Sequence, residues 1–496
     1  MTDHKRKYFL LVFAGVILGC SPVAAGRIVY PWRACPAVVL TGQHMEILYD
    51  SMHDLPVDSV ILEGPFNRVA LFIDTVSTGK FEYDPMTHSA TNSRIKVKIP
   101  ENTPEELYDL MVKSAGETGL SEKSVNVLKA YRNPHCFIHI SDPHISRQWV
   151  GTADNGYAKE LELLDRFIEV ANIIHPDYVI VTGDLIHDYT RMNADSIGWG
   201  GTVISGSEQH PLAEEKYKNY FEGTHGFSGI YGLNAPVFSL PGNHDFYGLE
   251  KDDHHGKVAQ WNQLMGKRVY GFSYADTRII VADDYLGDPV TDIPDKAPMS
   301  GLQGAVLEHF FDVFGHGKVR IMAQHRPDRI DTAFINRHHI NILLNGHSHT
   351  PRQSYVGTTP TLSIRPGTVC RSGEIAQWTK TLGFFRIFRV DGDTFHHSPP
   401  LRFCENPTAP CNELIMNLTL VFTNANTGQS TENEAVITNN FAVDLPACRV
   451  RFVMARGKYR VFGGTVRQVM ETERCSVIDV DMDVNARSVQ RVRITQ

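Results

Sequence analysis

The segment HISDPHIS (139–146) gives the first indication of the fold class, because it places Asp142 and His144 directly after the apolar run 136–140. These two side chains are two residues apart, so on extended backbone they would point to the same side. A helical periodicity follows over residues 157–174, and a second apolar run follows at 178–182. A strand, a helix and a strand in this order predict an α/β domain with metal-ligand residues at a strand end.

Four later segments repeat this arrangement, and each places side chains that bind metals after an apolar strand. They are VTGDLIHD (181–188), LPGNHDF (240–246), IMAQHRP (321–327) and LLNGHSHT (343–350). Each segment alone is a weak signal, since such pairs are common in loops and turns. Open α/β sheets build their sites at the carboxyl ends of strands, so five such segments in one chain predict a shared metal centre.

This ordered set spans about residues 134–395 and resembles the calcineurin-like metallophosphoesterase superfamily, whose signature is DxH, GD, GNH(D/E), H and GHxH. The resemblance implies a four-layer α/β fold, in which two mixed β-sheets pack face to face with helices outside and the metals at one edge. Phosphoprotein phosphatases of the superfamily carry Asp-Arg-Gly after the aspartate of the second segment. This chain reads LIHD (185–188) there, which argues against a close relative of those phosphatases.

The resemblance also implies a role for each residue of the site. Two sets of ligands would each hold one metal ion, namely Asp142, His144 and His349 for the first, and Asn243, His325 and His347 for the second. The carboxylate of Asp184 would bridge both ions. His244 would face the substrate, and Asp245 would orient His244.

Imidazole, amide and carboxylate ligands together suit two divalent or trivalent transition-metal ions, Zn, Fe, Mn or Co, better than Ca or Mg. Two ions about 3.5–4 Å apart can activate a metal-bridging hydroxide as the nucleophile and hold the phosphoryl oxygens in line. Their charge outweighs that of Asp142 and Asp184, so the site would attract a phosphate anion. His244 would stabilise the developing charge or protonate the leaving oxygen. The alternative is a histidine that only supports the ligands.

Two further residues are predicted to bind substrate. His187 lies three residues after Asp184, and Arg326 is next to His325. Arg326 would clamp a phosphate through two hydrogen bonds, or else form a salt bridge at the rim. Residues 187–232 form a long insertion, which is expected to be a lid, a wall of the site or a surface excursion packed on itself. The histidine pairs at 254–255, 338–339 and 396–397 are expected in solvated loops or caps.

The regions on either side of this α/β domain contain short strands separated by turn residues. They predict an N-terminal β-sandwich at 27–130 and a C-terminal β-sandwich at 401–496, around a catalytic domain at 133–400. Four cysteines are close enough in sequence to form two disulfides, Cys404 with Cys411 and Cys448 with Cys475.

Residues 1–25 are typical of a signal peptide, since a charged start precedes the apolar run 8–18. The run ends in ILGC (17–20), which resembles a bacterial lipobox in which Cys20 would be lipidated. The alternatives are cleavage after VAA (23–25) and an uncleaved anchor. Each alternative places the chain outside the cytoplasm, either as a membrane-anchored lipoprotein of the periplasm or cell surface, or as a secreted protein.

The chain has 496 residues and a formal net charge of −8, without a clustered basic run. It therefore lacks the track that would grip a nucleic-acid polymer, and a phosphate monoester or small diester is the expected substrate. One rival is a non-catalytic cell-surface binding lipoprotein with a degenerate middle domain. A second is a metal-dependent amidohydrolase, although there the His-x-His motif usually opens the domain, whereas here it closes it.

Overall fold

The structure is a computed structural model that describes residues 26–51, 56–114, 116–149, 155–187, 204–246, 254–285, 301–370, 383–405 and 415–496. The predicted signal peptide with Cys20, and Cys411 of the first proposed disulfide, lie outside these residues. Across the described ranges, none of the helices combines the length and the apolar character that spanning a bilayer would require.

The N-terminal region is built from strands β1 (Arg27–Tyr30), β2 (Ala37–Leu40), β3 (His44–Asp50), β4 (Val57–Glu63), β5 (Arg68–Ala70), β6 (Phe72–Asp84), β7 (Ser89–Lys98), β8 (Glu106–Ser114) and β9 (Glu117–Leu128). One sheet has the order β1-β3-β7-β6 and the other β2-β9-β8-β4-β5. Ile47 and Ile95 of the first sheet share a buried core with Val60 and Leu110 of the second. Two sheets that face one core form a β-sandwich.

The strands of the central region are β10 (His135–Ile140), β11 (Tyr178–Thr182), β12 (Gly223–Thr224), β13 (Phe227–Ser228), β14 (Val237–Leu240), β15 (Tyr270–Tyr274), β16 (Thr277–Val281), β17 (Val319–Ala323), β18 (Ile342–Leu344), β19 (Arg352–Val356), β20 (Thr361–Arg365), β21 (Phe384–Asp391), β22 (Thr394–His397) and β23 (Leu401–Arg402). Its helices are α1 (Gly156–Ile174), α2 (Gly206–Glu222), α3 (His254–Leu264), α4 (Gly301–Phe314) and α5 (Thr332–Arg337), with a short 3₁₀ turn at Ile230–Gly232.

Two mixed sheets form the middle layers of this region. The first has the order β14-β11-β10-β21-β22, with β10, β11 and β14 parallel, and the second has the order β15-β16-β17-β18-β20-β19, with its central strands parallel. Phe137 and Ile180 of the first sheet pack against Ile279 and Ile321 of the second. The two sheets therefore meet face to face, as the sequence predicted.

Helices cover the two outer faces of these sheets. Helix α1 buries Leu164 and Phe167 against Ile138 of the first sheet, and helices α4 and α5 bury their apolar residues against Met322 and Leu343 of the second. The predicted four-layer α/β fold is confirmed. Strand β23 pairs with β21, so the first sheet continues as far as Arg402, past the predicted boundary at 400.

The C-terminal region is built from strands β24 (Cys404–Glu405), β25 (Ile415–Met416), β26 (Leu418–Phe422), β27 (Glu432–Asn439), β28 (Leu445–Ala455), β29 (Arg460–Phe462), β30 (Thr465–Glu471), β31 (Cys475–Val484) and β32 (Ser488–Thr495). The sheets β26-β27-β32-β29 and β28-β31-β30 enclose Ile437, Phe452, Val480 and Ile494, in a core that continues to helix α1. This is a second sandwich, and it is packed on the catalytic region.

Salt bridges join the two sandwiches to each other. Arg467 donates from Nε and Nη2 to the two carboxylate oxygens of Glu105, at 2.8 and 3.1 Å, and Arg451 lies 2.7 Å from Glu106.

The predicted disulfide between Cys448 and Cys475 is wrong, because both are free thiols. Their strands, β28 and β31, pair in a register that sets Cys448 opposite Met482 and Cys475 opposite Ala455.

Candidate metal centre

The metal-ligand segments meet because the strands that precede them are parallel neighbours. Strands β10, β11 and β14 end side by side in the first sheet, and Asp142, Asp184 and Asn243 follow these ends. Strands β17 and β18 are parallel neighbours in the second sheet, where His325 and His347 follow. All five side chains therefore reach the same edge of the sheet pair.

The first group of ligand atoms belongs to Asp142, His144, Asp184 and His349, and all of these atoms lie within 4.8 Å of one another. The Nε2 atoms of His144 and His349 are 3.0 Å apart. The Nε2 atom of His349 is 3.5 Å from Oδ1 of Asp142, and that of His144 is 3.4 Å from Oδ2 of Asp184. Two imidazoles and two carboxylates at this spacing are a ligand set for a transition-metal ion.

The second group consists of Asp184, His325 and His347, again with ligand atoms within 4.8 Å of one another. The Nε2 atom of His325 lies 3.1 Å from Oδ2 of Asp184 and 3.1 Å from Oδ1 of Asn243. Asn243 thus contributes an amide oxygen to this group. Asp184 belongs to both groups, which is the position that the sequence assigned to a bridging carboxylate.

Two buried carboxylate oxygens test whether these residues fit a metal ion. Oδ2 of Asp142 and Oδ2 of Asp184 are buried and accept no hydrogen bond from any residue that the structure describes. A buried carboxylate oxygen without a donor is costly unless a cation binds it. Oδ2 of Asp184 lies 3.4 Å from Nε2 of His144 and 3.1 Å from Nε2 of His325, and Asp142 belongs to the same group of ligand atoms as His144. The residues present therefore fit metal ions.

The tautomer of His325 suits a ligand role as well. Its Nδ1 atom lies 2.6 Å from the carbonyl oxygen of Thr182, which can only accept a hydrogen bond. The ring therefore carries a proton on Nδ1, and in its neutral form it directs the lone pair of Nε2 towards Asp184 and Asn243. A backbone carbonyl that fixes a histidine in this way is a common support for metal ligands.

Five of the predicted ligands adopt left-handed backbone conformations, which are uncommon for residues other than glycine. Their φ angles are 56° for Asp142, 51° for His144, 54° for Asp184, 71° for His347 and 54° for His349. The expectation that Asp142 and His144 converge on extended backbone is therefore wrong. Tight turns aim these side chains, and strain of this kind persists where the surrounding structure imposes it.

Two glycines allow the turns to approach the ligands closely. A Cβ atom on Gly242 would overlap Oδ1 of Asp184, and one on Gly346 would overlap Oγ of Ser141 and reach within 2.8 Å of Oδ2 of Asp142. Only glycine fits at either position, which explains why these residues precede Asn243 and His347.

Burial and mutual charge shift the pKa values of the site residues. Burial and the neighbouring Asp184 raise the pKa of Asp142 to about 7, against the opposing effect of His325. Burial also acts to raise the pKa of Asp184, but His325 and His244 outweigh it and hold that pKa well below its ordinary value. Burial lowers the pKa of His325, and the carboxylates of Asp184 and Asp142 overcome this effect and raise it to about 10. The carboxylates therefore create a strong preference for positive charge at Nε2 of His325.

His244 lies beside the first group, with its ring centroid 4.7 Å from that of His144 and 5.1 Å from that of His187. Its backbone N–H donates to Oδ1 of Asp184 at 2.8 Å, and its Nδ1 atom contacts the carbonyl oxygen of His187. His187 is fully buried, and a substrate contact by its side chain stays a prediction. Its backbone carbonyl holds the ring of His244.

The prediction that Asp245 orients His244 is wrong. The Asp245 carboxylate accepts hydrogen bonds from the backbone N–H groups of Gly242 at 2.7 Å, Leu185 at 3.2 Å and Ile186 at 3.3 Å, and from the Tyr217 hydroxyl at 3.1 Å. It joins the loops after β11 and β14, which carry Asp184 and Asn243. Burial, with Asp184 nearby, raises the pKa of Asp245 to about 7.

The described part of the insertion, residues 204–232, supports the site from outside. Helix α2 brings Tyr217 to Asp245, and the sequence analysis did not identify Tyr217 as part of the site.

Arg326 forms the salt bridge at the rim that was the alternative to a phosphate clamp, since its Nη2 atom lies 3.0 Å from Oδ2 of Asp328.

Two of the histidine pairs do not lie in loops, because residues 254–255 begin helix α3 and residues 396–397 end strand β22.

Residues 137–351 match the model of the calcineurin-like phosphoesterase family. The matched part of the chain is therefore similar to calcineurin-like phosphoesterases, which supports a phosphoesterase hydrolase, and its groups of His and Asp side chains fit a metal-dependent one. No curated protein matches the chain.

Solved structures give weaker likenesses. The GAP50 anchor of the Plasmodium inner membrane complex is 9% identical, with 57% of this chain and 89% of that chain covered and a TM-score of 0.33. Phosphopantetheinyl hydrolase from Mycobacterium tuberculosis is 12% identical, with 48% and 91% covered and a TM-score of 0.27. Vacuolar Protein Sorting 29 from Cryptosporidium parvum is 14% identical, with 55% and 100% covered and a TM-score of 0.25. Likenesses with such TM-scores carry no conclusion about this chain.

Proposed function

We propose that the chain is a binuclear phosphoesterase that hydrolyses a phosphate monoester or a small diester outside the cytoplasm. The observation that carries this proposal is the position of Asp184 in two groups of ligand atoms, one with Asp142, His144 and His349 and one with His325 and His347. A carboxylate shared in this way is what a pair of adjacent ions requires. Asn243 completes the second group.

When bound, two transition-metal ions would supply Lewis acidity and an activated water. The protein's own residues then set the geometry. The carbonyl of Thr182 fixes the tautomer of His325, and the backbone N–H of His347 donates to Oδ1 of Asp142 at 3.1 Å. Thr368 donates from its hydroxyl to the carbonyl oxygen of Asp142 at 2.7 Å. These bonds hold the ligand side chains before any substrate arrives, which lowers the cost of reorganisation during the reaction.

His244 is the residue proposed to act on the substrate. It adjoins both Asp184 and His144 through the contacts already described, and its Nδ1 atom is engaged by the carbonyl of His187. Its Nε2 atom is the ring nitrogen proposed to donate a proton to the leaving oxygen or to stabilise charge on the phosphoryl group. Asp245 does not share this role, because it supports the loops.

The proposal that the substrate is small rests on the charge of the chain. The chain is acidic overall and lacks a clustered basic run, so it offers no track for a nucleic-acid backbone. The location outside the cytoplasm rests on residues 1–25, and lipidation at Cys20 would tether the chain to a membrane. A tethered enzyme would meet phosphate esters of the cell envelope.

A metal-reconstituted activity screen tests the function. The purified chain, loaded separately with Zn, Mn, Fe or Co, is assayed on phosphomonoesters, phosphodiesters, nucleotides and phospholipids, and also on amide and lactone substrates. We expect hydrolysis of phosphate esters that Asp184→Asn abolishes. Turnover of amides or lactones alone would instead identify an amidohydrolase. Metal binding without any turnover would favour a surface-binding module.

A further inference from the structure

Two arginines face each other across the strand pair β19 and β20. In the antiparallel register Arg352 is the direct partner of Arg365, so both side chains project from the same face of the sheet. Arg352 is exposed, and Arg365 is half-buried. Like charges directly opposite each other in a sheet are destabilising, so this pair lowers stability unless something else compensates it.

This pair lies at the metal edge of the sheet. Arg352 is three residues after His349, and Arg365 is three residues before Thr368. Thr368 donates from its backbone N–H to the carbonyl oxygen of His349 at 3.2 Å and from its hydroxyl to that of Asp142 at 2.7 Å. The chain therefore enters β19 from one ligand loop and leaves β20 into the segment that braces the same ligands.

Neither guanidinium forms an ion pair with a carboxylate of the described residues. Arg326 differs, because Asp328 neutralises it. Burial lowers the pKa of Arg365, the charge of Arg352 lowers it further, and Asp142 acts in the opposite direction. Among the described residues, the carboxylate that acts on the pKa of Arg365 is thus that of Asp142, a proposed metal ligand.

We propose that Arg352 and Arg365 form a subsite for a second anionic group of the substrate, next to the phosphate that is hydrolysed. Guanidinium groups recognise phosphates and carboxylates through paired hydrogen bonds. An anion between the two arginines would relieve their repulsion. The preferred substrate is therefore a phosphate ester that carries a second phosphate or a carboxylate. This inference rests on the proposed function.

Three substrates with the same carbon chain test the subsite. Propane-1,3-diyl bisphosphate carries a second phosphate, 3-phosphonooxypropanoate carries a carboxylate, and 3-hydroxypropyl phosphate carries neither. We expect kcat/KM of the wild type to be about tenfold or more higher for one of the first two than for the third. The identity of the better substrate distinguishes phosphate from carboxylate.

The variants Arg352→Gln and Arg365→Gln should remove this preference, mainly through KM, and leave kcat/KM for 3-hydroxypropyl phosphate within about twofold. Arg460→Gln, at an exposed position of β29, is the control and should keep the preference. A wild type without a preference, or variants that lose activity equally on all three substrates, would overturn the subsite and leave the phosphoesterase function standing. A wild type that hydrolyses no phosphate ester would overturn both.

Discussion

The Nε2 atom of His325 lies 3.1 Å from Oδ2 of Asp184, although the two residues belong to loops of different sheets. That oxygen accepts no hydrogen bond from the described residues. The close approach of an imidazole nitrogen to a buried carboxylate oxygen joins the two sheets at their common edge. The chemistry of the domain depends on this junction, since Asp184 also belongs to the group around His144.

Replacement of His244 by alanine should leave metal binding intact and lower kcat by about 10²–10³-fold. The reason is that His244 lies outside the two groups that contain Asp184, and the third group of ligand atoms, which it forms with His144 and His187, has no carboxylate. Metal content by mass spectrometry and kcat on a phosphomonoester are the measurements. His255→Ala, at an exposed position of helix α3, is the control. Wild-type kcat with full metal content would remove His244 from the reaction.

Replacement of Tyr217 by phenylalanine should lower the free energy of unfolding by about 1 kcal/mol, because the buried Asp245 carboxylate loses one of its donors. Urea denaturation measures this effect. Tyr355→Phe is the matched control, since the Tyr355 side chain is 70% exposed. If the two variants are equally stable, the insertion does not support the site through Tyr217.

The buried His135 should make the free energy of unfolding depend on pH. Burial lowers its pKa to about 4, although Asp177 opposes the shift. In the unfolded chain its pKa is about 6.5, so between pH 6.5 and pH 4 the unfolded state binds the proton more readily. Stability is therefore lost as the pH falls through this window, by about 2 kcal/mol between pH 7 and pH 5.

The variant His135→Phe should lack this component of the pH dependence. Denaturation of wild type and variant at pH 7 and at pH 5 gives the difference directly. Phenylalanine suits the position because His135 is buried and its ring lies 4.7 Å from that of Tyr274. An identical loss of stability in both proteins would mean that His135 is protonated alike in the folded and unfolded states.

The sequence was sufficient to predict the layers of the fold and the residues that meet at the sheet edge. Apolar strands predict where the chain is buried, and parallel order brings the following loops together. The sequence was not sufficient to predict the loop geometry, since Asp142 and His144 converge through left-handed turns that no periodicity encodes. The prediction for Asp245 failed for the same reason, because the hydrogen-bond donors to its carboxylate come from loops and from helix α2.

Helix α2 did carry a signal that sequence reasoning missed. Ser205 and Glu208 are spaced as a capping box, and the buried positions Ala213, Tyr217 and Tyr220 follow a helical period. The glycines before residue 206 and Pro211 within the helix obscured this pattern. The sequence of helix α3 indicates a helix less clearly, since it starts with two histidines and has few apolar residues.

Metal stoichiometry tests the shared role of Asp184 most directly. The apoprotein is titrated with Mn²⁺ and the bound ions are counted by mass spectrometry, beside turnover of a phosphomonoester. We expect two ions per wild-type chain. The variant Asp184→Asn should bind at most one ion, with activity at least about 10²-fold lower. The control is Asp276→Asn, which should keep two ions and full activity, since Asp276 is exposed and paired with Lys318. Two results would contradict the proposal that Asp184 is shared by two metal ions. They are a wild type that saturates with one ion, and an Asp184→Asn variant that keeps two ions and its turnover.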